Sequence, residues 1–245
     1  MSEPGNGRIP WRRLAAESVA IVASILLAFA IDAWWDGQRD RDREKDLMVD
    51  LLADFRSSRA ELETRLGLSR RMATANALFT ERVDAHRGSG PLTVPDSLVL
   101  SVLGGPTYEP SMNALDAAVA SGEIVLLANP DIREELATWR RALLDTAEDE
   151  QEVRRITDEQ VIPLLAGSLR VAPYMRNVLA WSFGQPSEGM TGQATLSASP
   201  ELAGVLALRQ FFIEFSADDP EGLLGSLDRT ERLLEAELRD RGVDP

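Results

Sequence analysis

Apolar positions along the chain form one unbroken run followed by a series of helical stripes. From Ser18 to Ile31 the sequence SVAIVASILLAFAI holds no charge for 14 residues. At ~1.5 Å per residue that reaches only ~21 Å, short of a hydrocarbon core of ~30 Å. Extended to Leu14–Trp35, the segment is 22 residues and ~33 Å long, with Glu17 and Asp32 placed at the two interfaces. Beyond it, no proline occurs from Asp36 to Arg87, and Leu47, Leu51, Phe55, Leu62, Leu66, Ala73 and Ala77 recur at spacings of mostly four and seven. This predicts an amphipathic helix with a coiled-coil-like stripe. Its opening run GQRDRDREKD alternates in charge and reads as a solvated helical stalk. Unbroken, 36–87 would reach ~75 Å; a fold-back at Gly67 is equally allowed.

The pattern changes at HRGSGPLTVPD (86–96), a cluster of turn formers. A short helix is expected from Asp96 to Leu103, stopped by Gly104-Gly105-Pro106. Another runs through MNALDAAVAS, capped by Ser111 and ended by Gly122. Ile124–Ala128 is too brief for periodicity to choose between strand and helix. Asn129-Pro130-Asp131, Ser199-Pro200-Glu201 and Asp219-Pro220-Glu221 share one start signature. Each has an oxygen acceptor at N-cap, proline at N1 where its missing N–H is harmless, and an acid facing the helix dipole. The first opens a long helix carrying Ile132, Leu136, Trp139, Leu143, Val153 and Val161, disturbed at Pro163. The second carries Leu202, Val205, Leu206, Phe211, Phe212 and Phe215, and the third Leu223, Leu224, Leu227, Leu233, Leu234 and Leu238. Residues 171–198, with two Pro and three Gly, are expected to form an irregular connection. Trp139, Trp181, Phe211, Phe212 and Phe215 are expected in the core. The fold class is therefore all-α, with four parts: a tail (1–13), a transmembrane helix (14–35), a charged amphipathic stalk or long helix (36–87) and a helical bundle (88–245) on which the long helix packs. Arg209 interrupts the only other long apolar stretch, so no second span is expected.

Composition narrows the chemistry. The 245 residues hold 26 Lys+Arg against 40 Asp+Glu, a net charge of −14, one His and no Cys. Without Cys there are no disulfides, thiolate zinc sites or thiol nucleophiles, and the single His86 does not build a His-based metal site or a Ser-His-Asp triad. The acidic balance excludes a nucleic-acid partner, which needs a basic face. Phosphate loops, H-E-x-x-H, G-x-S-x-G and S-x-x-K patterns are all absent. The acid-rich DGQRDRDREKD has Arg at would-be calcium-ligand positions, and Asp218-Asp219 is a helix cap. No cofactor, metal or enzymatic activity is expected.

The flanks of the apolar run support a span. Trp11, Arg12 and Arg13 precede it and Trp34 and Trp35 follow it, as a membrane interface requires. The rival is a cleaved signal peptide with Ala28-Phe29-Ala30 as an A-x-A site; Glu17 at the head of the run and the helical pattern continuing past that site oppose it. The undiluted N-terminal arginines place that end in the cytoplasm and the main domain outside, in the periplasm of a bacterial inner membrane. Within the span, Ala16, Ala20, Ser24 and Ala28 recur every four residues with Asp32 at the next step. Small residues at this spacing let a second transmembrane helix, of another protein or of itself, approach closely, and Asp32 is expected to face such a partner or the headgroups.

Two stretches, ILLAFAIDAWWDGQRDRDREKDLMVDLLADF and ALDAAVASGEIVLLANPDIREEL, resemble a family of uncharacterised bacterial membrane-anchored helical proteins, a domain of unknown function. The similarity covers about residues 11–66 and 108–140. Where the family carries paired polar residues before the Trp, this chain has Asp32 and Ala33. The resemblance implies a retained span and a helical build, and no catalytic residue. The expected function is a non-enzymatic, single-pass accessory subunit of a membrane complex. A ligand-sensing domain outside the cytoplasm, signalling through a partner protein, is the alternative, and an enzyme of unrecognised type would need a deep polar pocket with perturbed carboxylates.

Overall fold

The computed structural model describes residues 11–86, 90–105, 107–110, 112–182, 192–217 and 222–244. One helix dominates it. α1 runs unbroken from Trp11 to Ala85, 75 residues or ~110 Å, and passes Gly67 without folding back. Its first part is exposed on every side as far as Asp36 wherever side chains are described. From Glu44 it enters the body, where its buried residues are Glu44, Met48, Leu51, Leu52, Phe55, Ser58, Leu62, Arg65, Ser69, Met72, Asn76, Phe79 and Val83. Leu52 apart, these alternate in steps of four and three without a slip, the seam that keeps one helix face on its neighbours over many turns. The expected stripe and this seam share Leu51, Phe55 and Leu62. Leu47, Leu66 and Ala73 lie half-buried on its flank, and Ala77 is exposed.

Two further columns complete a three-layered bundle. α4 (Pro130–Ile156) continues through a π turn (Thr157–Val161) into α5 (Ile162–Ala166). α7 (Pro200–Ala217) and α8 (Leu223–Asp240) are stacked in succession, and each packs on both α1 and α4. Cross-links fix the directions. Glu44 meets Arg241, Arg56 meets Glu235 and Arg59 meets Glu231, so α8 runs antiparallel to α1. Asn129 meets Glu237 at one end of α4 and Glu150 meets Arg65 further along, so α4 runs with α1. The proximal core gathers Phe55, Leu62, Trp139, Leu227 and Leu234; the distal core gathers Phe79, Val99, Ile156, Leu165 and Leu206.

Local signals are largely obeyed. Asn129 Oδ1 accepts the Asp131 N–H at 2.9 Å and Ser199 Oγ the Leu202 N–H at 3.1 Å, as N-cap residues do. α2 spans Asp96–Val102 and α3 Asn113–Ser121, which Gly122 ends at φ 80°, a left-handed conformation suited to glycine. The run after it forms one 3₁₀ turn, Glu123–Leu126.

Several expectations are corrected. Residues 86–96 are more than a turn, because Pro91–Pro95 forms β1, and 171–198 is not irregular throughout, because it contains α6 (Ala172–Ser182) and β2 (Gln193–Ser197). β1 and β2 pair antiparallel, Thr93 opposite Thr195, and bury Val94, Ala194 and Leu196 on the distal core. Two strands so distant in sequence leave no hairpin signal between them. α8 opens at Leu223 with Gly222 at N-cap, later than the Asp219-Pro220 signature placed it. Phe211 is 58% exposed, displaced from the core because α7 turns Leu206, Arg209 and Ile213 inward instead. Ser111 and Asp218 to Glu221 lie outside the described residues, as do the side chains of Trp181 and Phe215.

Candidate functional site

The N-terminal third of α1 is apolar on all its faces. Val19, Ile21, Val22, Ile25, Leu26, Leu27 and Phe29 are all at least half exposed, and no residue of the most apolar 18-residue window is buried. It is long and apolar enough to cross a membrane. Ala20, Ser24, Ala28 and Asp32 are exposed along it. Ser24 Oγ donates to the Ala20 carbonyl at 2.8 Å, so the helix itself satisfies its one mid-stripe hydroxyl. On a helix of 3.6 residues per turn, Ser24 and Ala28 fall roughly opposite the side on which Glu44 meets the body. Trp34 and Trp35 pack edge to face, centroids 5.2 Å apart. Trp11, Arg12, Arg13 and Ala16 stand in the first turns of the helix, and their side chains lie outside the described ones.

Between that segment and the body, exposed pairs Asp36–Arg39 and Asp40–Arg43 line the helix at 3.6 and 3.5 Å. A clasp then closes the proximal end of the bundle. Glu44 accepts the Ala128 N–H at 2.7 Å and two Arg241 nitrogens at 2.6 and 2.9 Å, and Arg241 also holds Glu237. Burial opposes ionisation of Glu44, but these hydrogen bonds outweigh it and hold the carboxyl below its ordinary value. Hydrogen bonds from Asn129 and Arg241 do the same for Glu237.

Deeper in the body, the seam of α1 turns polar. Tyr108 Oη donates to the Ser58 carbonyl at 3.0 Å. Arg65 and Glu150 form a buried ion pair at 2.8 Å, and Glu150 also accepts the Tyr108 N–H at 3.2 Å. Burial pushes the Glu150 carboxyl above its ordinary range against the pull of Arg65. Ser69 Oγ is buried with no hydrogen-bond partner. Asn76 donates to the Leu206 carbonyl and to Gln210, both at 2.9 Å, and accepts from Arg209 at 3.0 Å. Arg209 is fully buried, and its remaining nitrogens donate to Thr157 Oγ1, at the head of the π turn, and to the Gly104 carbonyl. All three acceptors are neutral. Burial without a counter-charge pulls its guanidinium down to about 10.

These polar residues escape a search for apolar periodicity. Ser69 and Asn76 nevertheless continue the seven-residue series Met48, Phe55, Leu62 through to Val83, and that spacing is the signal that exposes them. Arg209 offers only its place within an apolar run.

Two cavities open on this region. One of about 330 Å³ lies between α1, α2 and α6 and reaches Gly104; the other, about 670 Å³ and open, lies between α1 and residues 107–109. Among the described residues no group of three or more His, Asp or Glu is placed to hold a metal ion. Trp139 is core, packed on Phe55 at 5.2 Å, with its Nε1 unpartnered. No family model, curated protein or solved structure matches the chain, and its functional reading rests on geometry.

Proposed function

We propose that the chain is a non-enzymatic, single-pass membrane protein that serves as an accessory subunit of a membrane complex, with its bundle on the periplasmic side of a bacterial inner membrane. The observation that carries this reading is the contrast within α1, whose apolar window is uncovered on every face while the same helix forms the spine of the bundle. The unbroken helix favours a retained anchor over a signal peptide, since cleavage after Ala30 would fall inside α1. The stripe Ala16, Ala20, Ser24 and Ala28 supplies the close-packing surface for a partner helix. Its Ser24 and Ala28 fall opposite the clasp where Glu44, Ala128 and Arg241 meet, so a helix seated on them lies on the side away from the body.

Replacing both Ala20 and Ser24 by Leu tests the reading. The double variant, still in the membrane fraction, should lose the proteins that co-purify with the unaltered chain from its native membrane. Unchanged co-purification would overturn the proposal.

A further inference from the structure

The cavity between α1, α2 and α6 has walls of Leu68, Met72, Ala75, Leu100 and Val178. Its volume of about 330 Å³ lies at the small end of the range for bound small molecules, ~300–1,000 Å³. Its charge is unlike the rest of the molecule. The chain carries 40 acidic residues and a net charge of −14, yet among the described residues no carboxylate lines this cavity and Arg71 does. The Arg71 side chain is exposed, lies over Gly67 and makes no ion pair or hydrogen bond among the described residues. A second guanidinium lies behind one lining residue and does not reach the cavity itself. Gly104, which lines the cavity, accepts a hydrogen bond from Arg209, the buried guanidinium held only by neutral acceptors. Ser97 and Asn177 add hydrogen-bonding groups, whereas the Ser101 hydroxyl already donates to the Leu98 carbonyl and one Asn177 amide hydrogen to the Pro173 carbonyl. An apolar interior with a guanidinium at its side is complementary to an amphiphile with an anionic head.

We infer that this cavity binds a single-chain amphiphile with an anionic head, an alkyl carboxylate, its chain among Leu68, Met72 and Leu100 and its carboxylate on Arg71. Arg209 contributes its field through the Gly104 wall and does not touch the ligand. The site belongs to the body of the protein and does not depend on the partner helix proposed above.

The test uses the full chain in zwitterionic lipid nanodiscs and a decanoate carrying a photoreactive diazirine on its chain. Mass spectrometry of the cross-linked peptides separates the cavity from the apolar segment of α1. Labelling is expected at 68–75 and 97–104, competed by excess decanoate and not by decanol. Arg71→Gln, on an exposed side chain, retains the fold and should weaken competition by decanoate about tenfold, the effect of one lost charge-assisted hydrogen bond. Ala75→Trp fills the cavity and should abolish labelling there, with its melting transition confirming that it folds. Labelling confined to residues 17–35, competition by decanol equal to that by decanoate, or an Arg71→Gln protein indistinguishable from the parent would each overturn the inference.

Discussion

The two halves of α1 are one continuous helix with comparable numbers of large apolar residues, and they meet opposite surroundings. Between Val19 and Trp35 those residues point in every direction and all are exposed. Between Glu44 and Val83 most of them gather on one side, where a seam of alternating four- and three-residue steps is buried by α2, α3, α7, α8 and Trp139 of α4, with Val49 and Leu78 left exposed. Angular distribution, more than hydrophobic content, decides what a helix packs against. A helix apolar all round has no side to offer water and is suited to lipid; a seam is suited to other helices. The polar residues behave accordingly. The exposed half satisfies Ser24 within its own backbone, whereas the buried half reaches to other elements for the partners of Arg65 and Asn76.

The sharpest way to break this comparison is to delete the same side chain in each half. Phe55 is fully buried against Trp139, and Phe55→Ala should lower the unfolding free energy of the bundle by about 3–5 kcal/mol, the lost transfer energy plus the cavity left behind. Phe29 is 66% exposed, so Phe29→Ala should leave the same transition within about 0.5 kcal/mol. Denaturant melts of the detergent-solubilised chain read both, and equal losses would mean that the apolar half is packed on the body. The next effect is on membrane residence. Leu26 is 62% exposed in the middle of the apolar window, and Leu26→Arg should raise the free energy of insertion by about 3 kcal/mol. The protein should shift from the membrane pellet to the alkaline wash with its bundle melting unchanged. Retention in the pellet would count against insertion of this half.

How much of this was legible follows from the same physics. The apolar run, the caps at Asn129 and Ser199 and the end at Gly122 rest on local chemistry within a few residues, and each appears where the sequence places it. The stripe on α1 was visible only while its residues were apolar. At Ser58, Arg65, Ser69 and Asn76 the seam stays buried but changes chemistry, so the apolar pattern slid onto Leu66, Ala73 and the exposed Ala77. Pairing of β1 with β2 joins segments about a hundred residues apart, which no local window sees. Arg209 reads as a break in an apolar run, and only the arrangement of Asn76, Thr157 and Gly104 around it explains how a cation sits there. The cavity beside Gly104 is likewise a product of three elements meeting, α1, α2 and α6.

The junction between the halves gives the smallest and most discriminating effect, because two acids eight residues apart on the helix differ in environment. Glu44 is nearly buried and holds Arg241 and the Ala128 N–H; Asp36 is mostly exposed opposite Arg39. Glu44→Gln should cost about 1.5 kcal/mol at neutral pH, as hydrogen bonds to a charged group do. The Glu44 carboxyl is held below its ordinary 4.5 in the fold, so its contribution is fully present above that pH and is lost as pH falls through the folded value. The difference between Glu44→Gln and the parent should therefore shrink on acidification below 4.5. Asp36→Asn removes only a screened surface pair, worth less than about 0.5 kcal/mol. Urea titrations of the three proteins at neutral and acid pH decide the point. An Asp36→Asn loss as large as that of Glu44→Gln would mean that the body reaches further down the helix than Glu44, and the boundary between the two halves would have to move toward the Trp34–Trp35 pair.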